Sequence, residues 1–171
     1  HFNRWNLSTS AYLALGEGPR AASLFTVHNL AFQGLVAASW VTPLGLPPAA
    51  WSMHGVEYHG QLSFMKAGLY YADAISTVSP NYAREICAPP LGMGFEGLLA
   101  ARAPDLTGIL NGIDDRVWNP RSDPLIAATY NKTKLARKAD NRAALAQRVG
   151  LAPRADVPLL GMVSRFSDQK G

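Results

Sequence analysis

One cysteine, Cys87, stands in 171 residues, which excludes an internal disulfide framework and fits a reducing compartment. No apolar run approaches the roughly 18 residues that a membrane-spanning helix needs, and no signal-like segment opens the chain. Also missing are an initiator methionine, an internal repeat and any low-complexity tract. The sequence starts on His1 and stops on Gly171 inside a motif, so it reads as an internal fragment of something longer. Two Asn-x-Ser/Thr sequons, at Asn6 and Asn131, read as chance matches in the absence of a leader. Neither a Gly-x-x-x-x-Gly-Lys-Ser/Thr phosphate loop nor a Gly-x-Gly-x-x-Gly dinucleotide fingerprint occurs. These absences predict a cytoplasmic protein with no membrane partner.

Charge is unevenly spread. The net charge is +4, yet Lys132 to Arg154 alone holds seven basic residues against one acid, Asp140. No aromatic side chains are interleaved there to stack bases, so a solvated helix face is preferred to a nucleic-acid partner. The spacing predicts Leu135, Ala139, the Arg142 stem, Leu145 and Val149 on the inner side, with Gly150 as the stop.

What the chain does contain is an alternation of buried strands and amphipathic helices, which predicts an α/β fold with a parallel sheet. Strands are predicted at 23–27, 74–78 and 108–110, and helices at 61–72 and 94–102. A further helix start is marked by Ser79-Pro80, a cap followed by proline. The stretches 43–48 and 89–90 read as loops. A last apolar run, 157–163, predicts a strand that opens a second domain, with 151–156 as connector.

Each predicted strand runs into polar residues: His28-Asn29, Ser79-Pro80-Asn81, and Asn111-Gly112-Ile113-Asp114. Ligands of open α/β sheets sit outside the carboxyl ends of the strands, so these clusters are the first places to look for chemistry. Histidine and amide groups such as His28, Asn29 and Gln33 suit the hydroxyls of a sugar. At the far end, Arg165 and Lys170 follow the apolar run where a helix should begin. A guanidinium that can grip two oxygens and a mobile ammonium suit a diphosphate. From those residues alone, an ordinary solvated pair remains the competing reading.

Five blocks in order carry more weight: "TVHNLAFQG", "MHGVEYHGQLSFMKAGLYYADAISTVSPNYAREI", "GFEGLL", "LNGIDDRVWNP" and "VSRFSDQKG". Together they resemble the middle of bacterial glycogen synthases and plant starch synthases, from about Ser23 to Gly171. The resemblance implies the GT-B architecture of two Rossmann-like domains. Residues 1–150 would be the later part of the acceptor-side domain with its connector helix. Residues 151–171 would be the linker and first strand-loop of the nucleotide-sugar domain.

The activity implied is retaining transfer of glucose from ADP-glucose, with UDP-glucose as the alternative donor, to the non-reducing end of an α-1,4-glucan. No cofactor and no metal are implied. His28 would lie beside the transferred glucose, with Asn29 toward the acceptor and Gln33 among the substrate-binding groups. Asn111 would contact the glucosyl unit, while Arg165 and Lys170, with Ser164 adjoining, would hold the diphosphate.

The resemblance has gaps. An earlier Lys-x-Gly-Gly-Leu block and a later glutamate block are not in the sequence, so the fragment by itself is expected to be inactive. Where relatives carry Asp-Trp-His, this chain has Arg4-Trp5-Asn6. That departure keeps a second reading open, a non-catalytic glucan-binding or regulatory homologue. Three other features read as structural: His54 and His59 around Glu57, the Cys87 thiol, and Trp118, which is expected in the core. Glu96 of "GFEGLL" reads as more structural than substrate-touching.

Overall fold

The computed structural model describes residues 11, 14–16, 18–152, 154 and 156–166. Strand β1 (Leu24–Val27) puts Phe25 and Val27 inside and Leu24 outside, the period-2 pattern of a strand on the margin of a sheet. It pairs in parallel with β5 (Ala74–Thr77), and β5 pairs in parallel with β6 (Leu106–Gly108), giving the order β1-β5-β6. Between β1 and β5 come β2 (Leu35–Ala37), β3 (Glu57–Tyr58) and β4 (Gln61–Ser63), which form a small antiparallel sheet in the order β2-β4-β3. Next is helix α1 (Phe64–Tyr71). Helices α2 (Pro80–Glu85) and α3 (Glu96–Ala101) link β5 to β6.

The second sheet was not predicted from the sequence. Its hairpin turns on His59 and Gly60, both at positive φ (49° and 78°), the backbone that a two-residue turn demands. Glu57 Oε1 accepts from Gly60 N at 2.8 Å and closes the turn. The helix predicted over 61–72 therefore begins later. Ser63 Oγ accepts from Lys66 N at 3.0 Å, fixing Phe64 as the first helical residue and releasing 61–63 to the hairpin.

Helix α1 joins two apolar clusters. Met65 and Leu69 pack with Phe25, Val27, Leu30 and Ile75, while Ala67 packs with Val56, Leu62 and Ala50. The carboxyl end of α1 is closed by Arg102. Its guanidinium donates to the carbonyls of Leu69 (2.9 Å), Tyr70 (3.1 Å), Ala72 (2.7 Å) and Asp73 (3.4 Å), and it pairs with Asp105 at 2.8 Å. Two carbonyls of the last helical turn, with those of the cap Ala72 and of Asp73 beyond it, are thereby satisfied.

Two predicted elements are displaced. Strand β6 lies two residues before the predicted 108–110, because its register is set by pairing Ile75 with Leu106. Gly108 marks its end: a Cβ there would lie 2.2 Å from the Ser79 carbonyl oxygen, so only glycine lets β6 pass the start of α2. Helix α3 starts at Glu96 and not at Gly94, since Met93 (φ 51°) and Gly94 (φ 90°) hold left-handed turn geometry.

The chain packs as two units, 1–111 and 112–171. Asx turns dominate the second: side-chain oxygens of Asp114, Asn119, Asp123 and Asn131 each accept a backbone N–H two residues on, at 2.8 to 3.1 Å. Helix α4 (Lys138–Arg148) follows. It ends as predicted at Gly150 (φ 72°), where Gly150 N bonds Gln147 O and Leu151 N bonds Ala146 O in a Schellman closure.

The inner face predicted for this helix is only partly realised. Ala146 is buried, but Leu135, Leu145 and Val149 are more than half exposed, because the described residues of the unit offer no sheet for them to cover. Arg142 does turn inward, donating to the carbonyls of Arg154 and Val157. The predicted strand 157–163 is not a strand: it has no β-pairing, and Val163 is fully exposed. A parallel strand exists only through hydrogen bonds to neighbours, and none lies beside this run among the described residues. Trp118, expected in the core, is 69% exposed.

Candidate functional site

The strands of the first sheet all run the same way, so their carboxyl ends share one edge. Two side-chain bonds lock that edge. Thr77 Oγ1 donates to Val27 O at 2.7 Å, and the hydroxyls of Thr26 and Ser76 are 2.8 Å apart. Ile109 N then bonds Thr77 O at 2.7 Å, continuing the ladder past β6. His28 leaves β1 here with its side chain exposed, Ser79 caps α2 (Tyr82 N to Oγ, 3.0 Å), and exposed Asn111 follows the end of β6. Parallel pairing thus gathers His28, Asn29 and Asn111, three of the sequence-predicted site residues, at one edge of the sheet.

The loop after His28 is shaped by its own side chains. Asn29 Oδ1 accepts from Ala31 N at 2.9 Å, and Phe32 N bonds Asn29 O at 3.4 Å. Leu30 is fully buried in the core, its N–H directed at the Tyr82 hydroxyl (3.4 Å). Gln33 is fastened at three points: its carbonyl accepts from Ser63 Oγ (3.0 Å) and Met65 N (3.1 Å), and its Nε2 donates to Met93 O (2.9 Å). One of the two Gln33 amide N–H groups is therefore engaged, which leaves the other N–H and Oε1 for a ligand.

Sequence reasoning missed Ser63 and Met93. Ser63 carries a cap signature that points to a helix start, not to a loop 30 residues earlier. Met93 acts through its carbonyl, which also lies 3.4 Å from the Tyr58 hydroxyl. The "GFEGLL" block beside it was the available signal. Glu96 is used internally, its Oε2 accepting from Gly94 N at 2.8 Å.

Beneath the hairpin lies a cavity of about 430 Å³ lined by His54, Tyr58, His59, Lys66, Tyr70 and Phe95, among others. Burial pushes the Lys66 ammonium below the ordinary lysine value. Its Nζ donates to the carbonyls of Met53 (2.8 Å) and Glu57, so the charge is held by backbone oxygens. Tyr58 stacks on Phe95 with ring centres 4.6 Å apart and meets His59 edge-on at 4.5 Å. Cys87 is half-buried, its thiol directed at Ala83 O, and burial raises its pKa.

The remaining predicted residues belong to the other unit. Ser164 and Arg165 are exposed in irregular chain, and Lys170 lies outside the described residues, as do Arg4, Trp5 and Asn6. Among the described residues no helix is long and apolar enough to cross a membrane.

Fold and site together define an α/β chain of the Rossmann-like class, with polar loops gathered at the carboxyl edge of a parallel sheet. Comparison with known proteins narrows the class. The starch synthase catalytic domain family matches residues 1–101, and the chain belongs to that family. It is 54% identical over 172 residues to the glycogen synthase of Nitrosomonas eutropha, covering all of this chain and 34% of that protein. Against the glycogen synthase of Alkalilimnicola ehrlichii it is 52% identical over 175 residues, covering 36% of that protein. Its fold is similar to the catalytic domain of Starch Synthase IV from Arabidopsis thaliana bound to ADP and acarbose. That match has a TM-score of 0.64 at 32% identity, over 75% of this chain and 27% of the other. The chain spans about a third of the length of the curated relatives it matches and is a partial piece of the GT-B fold.

Proposed function

We propose that the protein carrying this chain is a retaining glucosyltransferase that moves glucose from ADP-glucose to the non-reducing end of an α-1,4-glucan. The observation that carries the reading is the gathering of His28, Asn29 and Asn111 at one sheet edge in a chain 54% identical to a glycogen synthase. ADP is the nucleotide bound by the starch synthase of similar fold. That favours the adenine donor over UDP-glucose. Residues 1–150 would form the later part of the acceptor-side domain with its connector helix, and residues 151–171 the linker and opening segment of the donor domain. The working compartment would be the cytoplasm, or a plastid in a plant or alga.

In this reading the sugar–phosphate bond breaks with positive charge building on the glucose and negative charge on the departing diphosphate. Arg165 and Lys170, with Ser164 beside them, would take up the leaving-group charge as it grows, which lowers a barrier and does not merely bind. His28 would orient a hydroxyl or present its carbonyl near the anomeric carbon. Asn29 and Asn111 would hydrogen-bond the glucosyl unit and its acceptor, and Gln33 would meet a hydroxyl through Oε1.

The test is incorporation of labelled glucose into glycogen by the full-length protein, supplied with ADP-glucose or UDP-glucose in parallel. Incorporation from ADP-glucose is the expected outcome. Glycogen co-sedimentation with no turnover from either donor would replace this reading with that of a non-catalytic glucan-binding homologue.

A further inference from the structure

Between its two anchors, the loop after β1 leaves one large side chain outside. Leu30 is sunk in the core on one side, and Gln33 is held by Ser63, Met65 and Met93 on the other. The Asn29 turn fixes the backbone between them. Phe32 sits in this span with its side chain 63% exposed, four residues after His28. An isolated exposed apolar residue on a protein surface needs no explanation. A phenyl ring presented by a loop fastened on both sides, next to the polar edge of the sheet, is different. The backbone that presents it is held before anything binds, and the ring's hydration gives it a contact to gain.

We infer that Phe32 is a carbohydrate-stacking residue, whose ring takes the C–H face of a glucose unit of the α-1,4-glucan acceptor while His28 and Asn29 meet hydroxyls nearby. The inference rests on the glucosyltransferase reading above. A sugar ring has an apolar face of C–H groups and a polar rim, and the loop offers an apolar ring beside hydrogen-bonding groups. The rival flat ligand is the base of the nucleotide. The base would be held together with the diphosphate, which the proposed function gives to Arg165 and Lys170, whereas Phe32 shares its loop with Asn29, which that reading turns toward the acceptor, so the acceptor is preferred.

Initial rates of the full-length protein test this with Phe32→Ala and Phe32→Trp, varying maltoheptaose and ADP-glucose separately. Phe32→Ala is expected to raise KM for the glucan by roughly five- to tenfold, the scale of one aromatic contact, and to leave KM for ADP-glucose unchanged. Phe32→Trp should restore the glucan KM, and neither variant should lower the melting temperature. Three outcomes would overturn the inference: an unchanged glucan KM in Phe32→Ala, a rise confined to ADP-glucose, or a fall in melting temperature that shows the ring packed within the protein. If the wild type itself transfers no glucose, the glucosyltransferase reading has failed. Co-sedimentation with glycogen then reads the contact alone, with weaker pelleting of Phe32→Ala for it and equal pelleting against it.

Discussion

Asp73 shows how much one side chain can organise without any local signal in the sequence. Its carboxylate accepts from both terminal nitrogens of Arg20 (2.6 Å each) and from the N–H and hydroxyl of Ser23 (2.7 and 2.9 Å). Arg20 and Ser23 lie 53 and 50 positions earlier, before β1, and Asp73 directly precedes β5, so the cluster ties the amino ends of the two strands, opposite the candidate site. The Arg20 guanidinium, then the Ser23 donors, hold the carboxyl well below the usual carboxylate range. Because the folded value is depressed, the stabilisation is complete above the unfolded value, near pH 4, and is lost as pH falls through the folded one. Asp73→Asn is therefore expected to lower the melting temperature at pH 7. It should also flatten the decline between roughly pH 4 and pH 2, since the variant has no carboxylate left to protonate. Thermal melts across that range check both. The placement of His28 and Asn29, by contrast, was legible, because a polar pair directly after a buried parallel strand marks the carboxyl edge of the sheet.

At the scale of elements, legibility followed whether the signal was local. The cap at Ser79 and the stop at Gly150 were read correctly, since each motif is set by a residue and its next three or four neighbours. The hairpin was missed because His59 takes a backbone that asparagine or glycine usually marks. Strand β6 was displaced because its register depends on β5 and on the contact of Gly108 with Ser79. The run 157–163 has the composition of a buried strand but no neighbour to pair with, and composition alone makes no sheet. Arg102 gives the clearest element-level expectation. Arg102→Ala leaves the carbonyls at the end of α1 without their donors and should cost about 2–3 kcal/mol in urea unfolding. Arg102→Lys should recover only part, because an ammonium cannot span the same set of oxygens as a planar fork.

For the molecule as a whole, the family and the α/β class were readable from five ordered blocks, and the relatives agree over the full chain. The role proposed for Arg165, which sits in the second unit, was legible only through the resemblance. Its role has a kinetic signature all the same. If Arg165 takes up charge on the leaving group, Arg165→Ala in the full-length protein should lower kcat about a hundredfold while leaving KM for the glucan in place. A loss confined to KM for the donor would show ground-state binding only.

One hydroxyl ties these scales together. Ser63 accepts from Lys66 N and, with its proton, donates to the Gln33 carbonyl. A thermostabilisation campaign that swaps in aspartate, ordinarily an equal or better helix starter, would keep the acceptor and discard the donor. It would also set a carboxylate against the Gln33 oxygen. Gains in heat tolerance sought at position 63 would therefore be taken out of the geometry of the loop that presents His28 and Phe32.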